Sequence, residues 1–348
     1  MKQIKIKNHI IAKDKPPFII AEAGINHNGE IKNALKMIKI AKTAGAHAIK
    51  FQTYTATEMI SNKKLKYSYK SQGKKITESM LEMFQRCEFS KIQWHKIKKN
   101  CDKNQIMFLS TPQNPSDLNL LLEIKIDAIK IGSDDFTNLS LIKNFSQSKL
   151  PIILSCGMST LKEIKTTLSY INYRKYPVVL LLTTSEYPTY PQNANLLKFN
   201  TISKIFPDLV LGYSDHTIGN IASSIAVGFG ARIFEKHFTL DNNLPGPDHW
   251  FSTNPNQLKD WINSINIAYK SLGKSKILPT NNELKMKKIA RRCPVTLKNI
   301  NKGDILDENN IGLRRIGNGL EAKIILKIHG KKAKRKILKG KTVRVSDF

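Results

Sequence analysis

LVLGYSDHTIGNIASSIAVGFGARIFEKHFT, residues 209–239, decides the fold. Two short runs rich in β-branched and aromatic residues frame it, one closing at His216 and the other at His237. Residues 218–229 between them are enough for a helix, so the stretch reads as one βαβ step. Parallel strands present their carboxyl ends at the same edge, which puts the two imidazoles side by side. Neighbouring imidazoles can hold one divalent metal and leave positions open for a substrate. The plainer alternative is two polar residues that merely end buried strands, and the rest of the chain weighs between them.

The same step repeats. Apolar runs begin at Pro17, Ala46, Gln105, Asp127, Pro151, Pro177, Leu209 and Ala231, with amphipathic stretches between them. Ile31, Leu35, Ile38 and Ala41 share one helical face, which Gly45 stops. Thr160, Ile164, Leu168 and Ile171 repeat the pattern. Eight apolar strands, each followed by a helix, predict an α/β (β/α)8 TIM barrel over residues 1–273. An open doubly wound sheet needs fewer strands and usually a Gly-rich first turn, and no GxGxxG is present. A polar insertion near residues 55–75 separates the second strand from its helix, as a substrate lid or a surface elaboration.

Past residue 273 the composition changes. Residues 274–289 are polar and Lys-rich and read as a linker entering a helix. Residues 290–348 read as a small β-rich domain, in which the phrases NINKGDILDENNI and KILKGKTVRVSDF are similar.

The 348 residues carry a formal charge of +30. The lysines are spread along the chain, and the densest run, Lys331–Lys336, lacks interleaved aromatics for base stacking. We therefore expect a solvated surface, no nucleic-acid partner, and a field that attracts anionic substrates. Four cysteines without CxxC spacing suit a reducing compartment. The charged amino terminus lacks a signal-peptide core, and no apolar run approaches the ~20 residues of a membrane helix. A soluble, cytoplasmic protein with no membrane partner is expected.

In a barrel of this kind the chemistry sits where strands end. Those ends carry Glu22, Lys50 with Gln52, Thr111, Lys130 with Ser133 and Asp135, Ser155, Ser185 with Tyr187, Ser214 with His216, and His237. Lysines and hydroxyls can bind a small phosphorylated, carboxylated anion without a P-loop. Lys50 and Lys130 sit among apolar residues, so each needs an anionic partner, either a substrate or Glu22 or Asp135. A lysine forming a Schiff base with a carbonyl is a competing mechanism. Glu22 is the candidate general base. LPGPDHWFS presents Asp248 from a tight loop, where a carboxylate suits sugar hydroxyls.

The motifs FIIAEAGINHNG, AIKFQTY, FLSTPQNPSD, IKIGSDD, ILSCGMST, GYSDHTIG and EKHFTLDNNLPGPDH, in this order, resemble the sialic acid synthase family of nonulosonate synthases. The tail from Cys293 resembles that family's antifreeze-like (SAF) domain. The resemblance implies condensation of phosphoenolpyruvate with an N-acetylated hexosamine; N-acetylmannosamine would give N-acetylneuraminate and phosphate. It implies that His216 and His237 bind Mn²⁺ or Mg²⁺ and that Glu22 is the catalytic carboxylate. Lys50, Thr111, Lys130, Ser133, Ser155 and Ser214 match phosphoenolpyruvate-binding positions; Tyr187, Asp135 and Asp248 match sugar-contacting ones. Gln52 and Ser185 are further substrate-binding candidates. Arg315 matches an arginine that the small domain inserts into the other subunit's site, which implies a domain-swapped homodimer. Asp135 stands where some relatives carry glutamate, Ser185 where some carry asparagine, and RRIGNG where RPGNG is frequent. These departures bear on the sugar, and TTSEYP is similar to legionaminate synthases. INHNG and LPGPDH fit neuraminate and legionaminate synthases better than pseudaminate synthases.

Overall fold

The computed structural model describes residues 3–348. The chain divides into two compact units, one running to Gly273 and the other Lys274–Phe348.

The first unit begins with an antiparallel hairpin, β1 (Ile4–Ile6) and β2 (His9–Ile11). Next come β3 (Phe18–Gly24) and β4 (Ala48–Thr53), then a second hairpin, β5 (Lys66–Ser71) and β6 (Lys74–Ser79). After these come β7 (Met107–Pro112), β8 (Ile129–Ile131), β9 (Ile152–Ser155), β10 (Val178–Leu182), β11 (Val210–Asp215) and β12 (Ile233–His237). Strands β3, β4 and β7 to β12 close into a barrel in chain order, with β12 pairing parallel to β3. The expected eight-stranded barrel is therefore present.

Alternation along each strand sorts the barrel into layers. Phe18, Ile20, Ala48, Met107, Leu109, Ala128, Ile153, Val179, Leu181, Val210 and Ile233 form one buried cluster with Ile4, Ile6 and Ile11 of the first hairpin. That hairpin plugs the amino-terminal end, and each of its three buried isoleucines contributes about 1.5–3 kcal/mol. The intervening residues, such as Ile19, Ala21, Ile49, Phe51, Leu154 and Phe234, face outward into the helix layer. One step further along each strand, the inner face turns polar: Glu22, Lys50, Thr111, Lys130, Ser155, Ser214 and Glu235 are all buried.

Local signals set the helices. Gly45 ends Ile31–Ala44 at φ 95°, a left-handed conformation that glycine adopts without strain. Thr160 does not lie on the face of its helix. It is the N-cap of Leu161–Tyr170, paired reciprocally with Glu163. The helix between the two histidines is Ile221–Gly228, shorter than residues 218–229, because the start of that segment forms a turn. No helix among the described residues is long and apolar enough to cross a membrane.

In the second unit, the segment expected as a linker is helical over Asn281–Ala290, closed by a Thr280–Glu283 capping box. Strands β13 (Cys293–Thr296) and β14 (Ile311–Arg314) pair antiparallel. The two similar phrases meet: Ile300 and Ile337 exchange backbone hydrogen bonds of 2.9 and 2.8 Å. Ile300, Leu306, Ile311, Ile328, Ala333, Ile337 and Val343 form the core of this unit.

Candidate active site

At the carboxyl end of the barrel lies a cavity of about 400 Å³. Glu22, Lys50, Gln52, Thr111, Lys130, Ser133, Ser155, Ser185, Tyr187, Ser214, His216 and His237 all line it. Strand register brings them together: Glu22 lies beside Lys50 across β3–β4 and beside His237 across β12–β3.

The floor is a buried charge array. Lys50 Nζ forms an ion pair with Glu22 Oε2 at 2.8 Å and donates to Thr111 Oγ1 at 3.0 Å. Glu235 bridges the two lysines, 3.6 Å from Lys130 and 4.0 Å from Lys50, and accepts from Ser214 Oγ at 3.1 Å. Burial pushes the Glu22 carboxyl up to about 7, against the pull of Lys50 and with the help of Glu235. Burial also works to raise Glu235, but the Lys130 and Lys50 ammonium groups outweigh it and hold that carboxyl low. The floor thus pairs one carboxyl that can carry a proton near neutrality with one that stays ionised.

Ser155 Oγ, Glu235 Oε2 and His237 Nδ1 are buried without a hydrogen-bond partner. Such orphans are costly in a sealed core, and here they surround one cavity, which marks it as built for a polar ligand. His216 Nδ1 donates to the Thr184 carbonyl at 2.8 Å, which makes Nε2 the lone-pair nitrogen, with Ser214 Oγ 3.5 Å from it. The His216 and His237 rings stand 5.6 Å apart between centroids, with Tyr187 packed 4.1 Å from His216. Burial lowers the His216 pKa to about 4 and takes His237 well below its ordinary value, so both rings are neutral lone-pair donors. Among the described residues no group of three or more His, Cys, Asp or Glu is placed to hold a metal. Two neutral imidazoles, one with an orphaned nitrogen, fit a cation whose other positions are open to substrate and water.

Three expected residues are absent from the wall. Asp135 turns away and accepts from Asn138 Nδ2 at 2.9 Å, while its neighbour Asp134 lines the cavity. A carboxylate at that turn braces the start of the next helix as readily as it reaches inward, and sequence alone does not separate the two. Asp248 lies behind His237, with Oδ2 4.0 Å from Nδ1. Arg315 is exposed just after β14, in the second unit. The sequence reading missed Glu235, Asp134, Thr183 and Tyr67, which also line the cavity. Glu235 carried a signal: it precedes His237 by two residues, so a strand turns both side chains to one face.

Known proteins share this architecture. The NeuB family model matches residues 37–277, and the SAF domain model matches residues 291–348. An N,N'-diacetyllegionaminic acid synthase of Legionella pneumophila is 34% identical over 331 residues, 94% of this chain and 93% of that protein. The Campylobacter jejuni enzyme of the same name is 38% identical over 311 residues, 88% of this chain and 93% of its own. The crystal structure of N-acetylneuraminic acid (sialic acid) synthetase from Leptospira borgpetersenii superposes with a TM-score of 0.73 at 34% identity, covering 82% of this chain and 95% of that one. With the cavity and the matches in agreement along almost its whole length, this chain belongs to the NeuB family.

Proposed function

We propose that the protein joins phosphoenolpyruvate to an N-acetylated hexosamine, forming a nonulosonate and releasing phosphate. The observation that carries this reading is the single cavity in which two buried lysines, a ring of hydroxyls, a proton-carrying carboxyl and two neutral imidazoles converge.

Lys50, Lys130, Thr111, Ser133, Ser155 and Ser214 hold the phosphate and carboxylate of phosphoenolpyruvate. Tyr187, Ser185 and Gln52 bound the side from which the open-chain sugar enters, with Asp134 at the wall and Asp248 beside His237 taking its hydroxyls. His216 and His237 would hold Mn²⁺ or Mg²⁺, which supplies Lewis-acid polarisation of the aldehyde carbonyl. C3 of phosphoenolpyruvate attacks the aldehyde carbon: the electron pair of its C=C bond becomes the new C–C bond, and the C=O π pair moves to the aldehyde oxygen, which takes the proton carried by Glu22. The cationic centre left at C2 takes up water, and Glu22 accepts a proton from that water. The C2–O bond to phosphate then breaks as the C2 hydroxyl passes its proton to the departing phosphate, leaving the keto acid and inorganic phosphate. Glu235 stays ionised throughout and keeps both lysines charged and fixed.

N-acetylmannosamine is the first acceptor, giving N-acetylneuraminate. The second reading, a diacetamido hexose giving N,N'-diacetyllegionaminate, draws support from the two similar enzymes of that name. Phosphate release from phosphoenolpyruvate, measured over a panel of N-acetylated hexosamines with and without Mn²⁺, tests both. Release with N-acetylmannosamine that EDTA abolishes is the expected result. Release with the diacetamido sugar alone shifts the product to legionaminate, and release with no panel member sinks the reaction.

A further inference from the structure

His216 and His237 each adjoin a residue with no place in the cavity. Asp215 precedes His216, and Lys236 precedes His237. The two are Cα partners across β11 and β12. Alternation sends them to the outer face of the sheet, whereas Ser214, His216, Glu235 and His237 line the inner cavity. There they form an ion pair of 3.0 Å, with side chains 0% and 3% exposed.

Every polar group of this pair is used to fix the strand ends. Asp215 Oδ1 accepts from the backbone N–H of Thr217 at 2.8 Å and from its hydroxyl at 2.7 Å. Asp215 Oδ2 accepts from Ser223 Oγ at 2.6 Å, and Ser223 in turn accepts from Trp261 Nε1 at 2.9 Å. Lys236 Nζ donates to the Thr217 carbonyl. The turn that carries His216 is thus held on both sides, and from β12, the strand that carries His237.

Burying two charges in the helix layer is an expensive way to add stability, since an apolar pair of like size does as well. What an ion pair adds is a fixed distance and direction between the two strands. We propose that Asp215 and Lys236 are positioning residues that set the spacing and aim of the two imidazoles for a divalent cation. The inference rests on the reading of His216 and His237 as the ligands of that cation. Partners behind metal-binding histidines are typically worth about 10–100-fold in metal affinity.

The test is Mn²⁺ binding to the full chain, followed by the loss of the free-ion EPR signal, with phosphoenolpyruvate binding measured in parallel by calorimetry. Asp215→Asn/Lys236→Met removes both charges while keeping volume and an acceptor for Thr217. It is expected to keep the melting temperature and phosphoenolpyruvate affinity of the parent and to bind Mn²⁺ about 10–100-fold more weakly. Parental Mn²⁺ affinity in this variant overturns the proposal. If the double variant does not fold, Ser223→Ala replaces it, removing one hydrogen bond from Asp215 at constant charge. A loss of about threefold or more supports positioning, and unchanged affinity overturns it. His216→Ala separates the two readings: it must abolish binding. If the parent itself fails to bind Mn²⁺, or His216→Ala binds as the parent does, the ligand assignment falls and the positioning role falls with it.

Discussion

His27 and His47 couple the barrel to acid chiefly through burial. His27 is 1% exposed and stacked on Phe89; its Nδ1 accepts from the Gly29 N–H, and its Nε2 has no partner. His47 Nδ1 accepts from the Ile19 N–H at 2.9 Å. Burial, followed by the neighbouring His249, pushes His27 down to about 3; burial, followed by His9 and Lys42, pushes His47 down to about 4. Above pH 6.5, the ordinary histidine value, both states are neutral and these groups cost nothing. As pH falls through 6.5 the unfolded chain takes up protons that the folded chain refuses, so stability is lost. Urea unfolding between about pH 7 and pH 5 is expected to show a loss of about 2 kcal/mol from His27 alone. His27→Gln should flatten that slope; an unchanged slope would place the acid sensitivity elsewhere. Residue identity was largely legible in advance, because the apolar strands fix their own register and put Glu22, Lys50 and His237 where barrel geometry requires. Glu235 was legible in principle from its spacing to His237. The choice between Asp134 and Asp135 was not, since both lie in a turn where alternation no longer applies.

Among the elements, the β5–β6 hairpin is the one whose role the sequence left open. Its strands, KYSYKS and KKITES, carry no apolar alternation, because they are held by cross-strand polar contacts such as Ser68 to Thr77 at 2.7 Å. Buried parallel strands announce themselves as apolar runs, whereas an exposed ribbon has no such signature. The β1–β2 hairpin was hidden differently: its lysines mark it only as a charged amino terminus without a signal-peptide core, while Ile4, Ile6 and Ile11 plug the amino-terminal end of the barrel. The β5–β6 hairpin brings Tyr67 to the cavity wall. Tyr67 also bounds an aromatic chamber of about 320 Å³ with Tyr187, Trp250 and Phe251, where Lys70 lies over Trp250 at 5.1 Å. On the proposed reaction, Tyr67 would therefore face the acceptor sugar, at the aromatic rim of the cavity. Tyr67→Ala is expected to raise the KM for the acceptor about tenfold, as for the loss of one stacked ring, and to leave the KM for phosphoenolpyruvate unchanged. Equal changes in both constants would show a general collapse of the site instead.

For the whole molecule, charge balance is the governing question. The formal charge is +30, yet the cavity floor is neutral when ionised: Lys50 and Lys130 cancel Glu22 and Glu235. Asp134 at the wall adds a further negative charge. In the proposed reaction phosphoenolpyruvate brings a carboxylate and a phosphate, which the barrel unit alone would not neutralise, and a fixed cation from elsewhere would lower the cost of binding. Arg315 is exposed after β14, beside the IGNG turn, and has no ion-pair partner among the described residues. If it serves a second copy, each site joins Glu22 of one chain to Arg315 of the other. This arrangement makes a symmetric assembly obligatory for turnover and yields a prediction that differs from any self-contained site. Glu22→Ala and Arg315→Ala should each be nearly inactive as homodimers. In a heterodimer of the two, purified through distinct tags, one site combines both lesions and the other combines neither. It should therefore recover about half the parental activity. A site built within one chain leaves a lesion in every site of that heterodimer and gives no recovery. Absence of recovery, with an intact heterodimer shown by its mass, would rule out the shared site and leave the anion to be balanced by the cation proposed at His216 and His237.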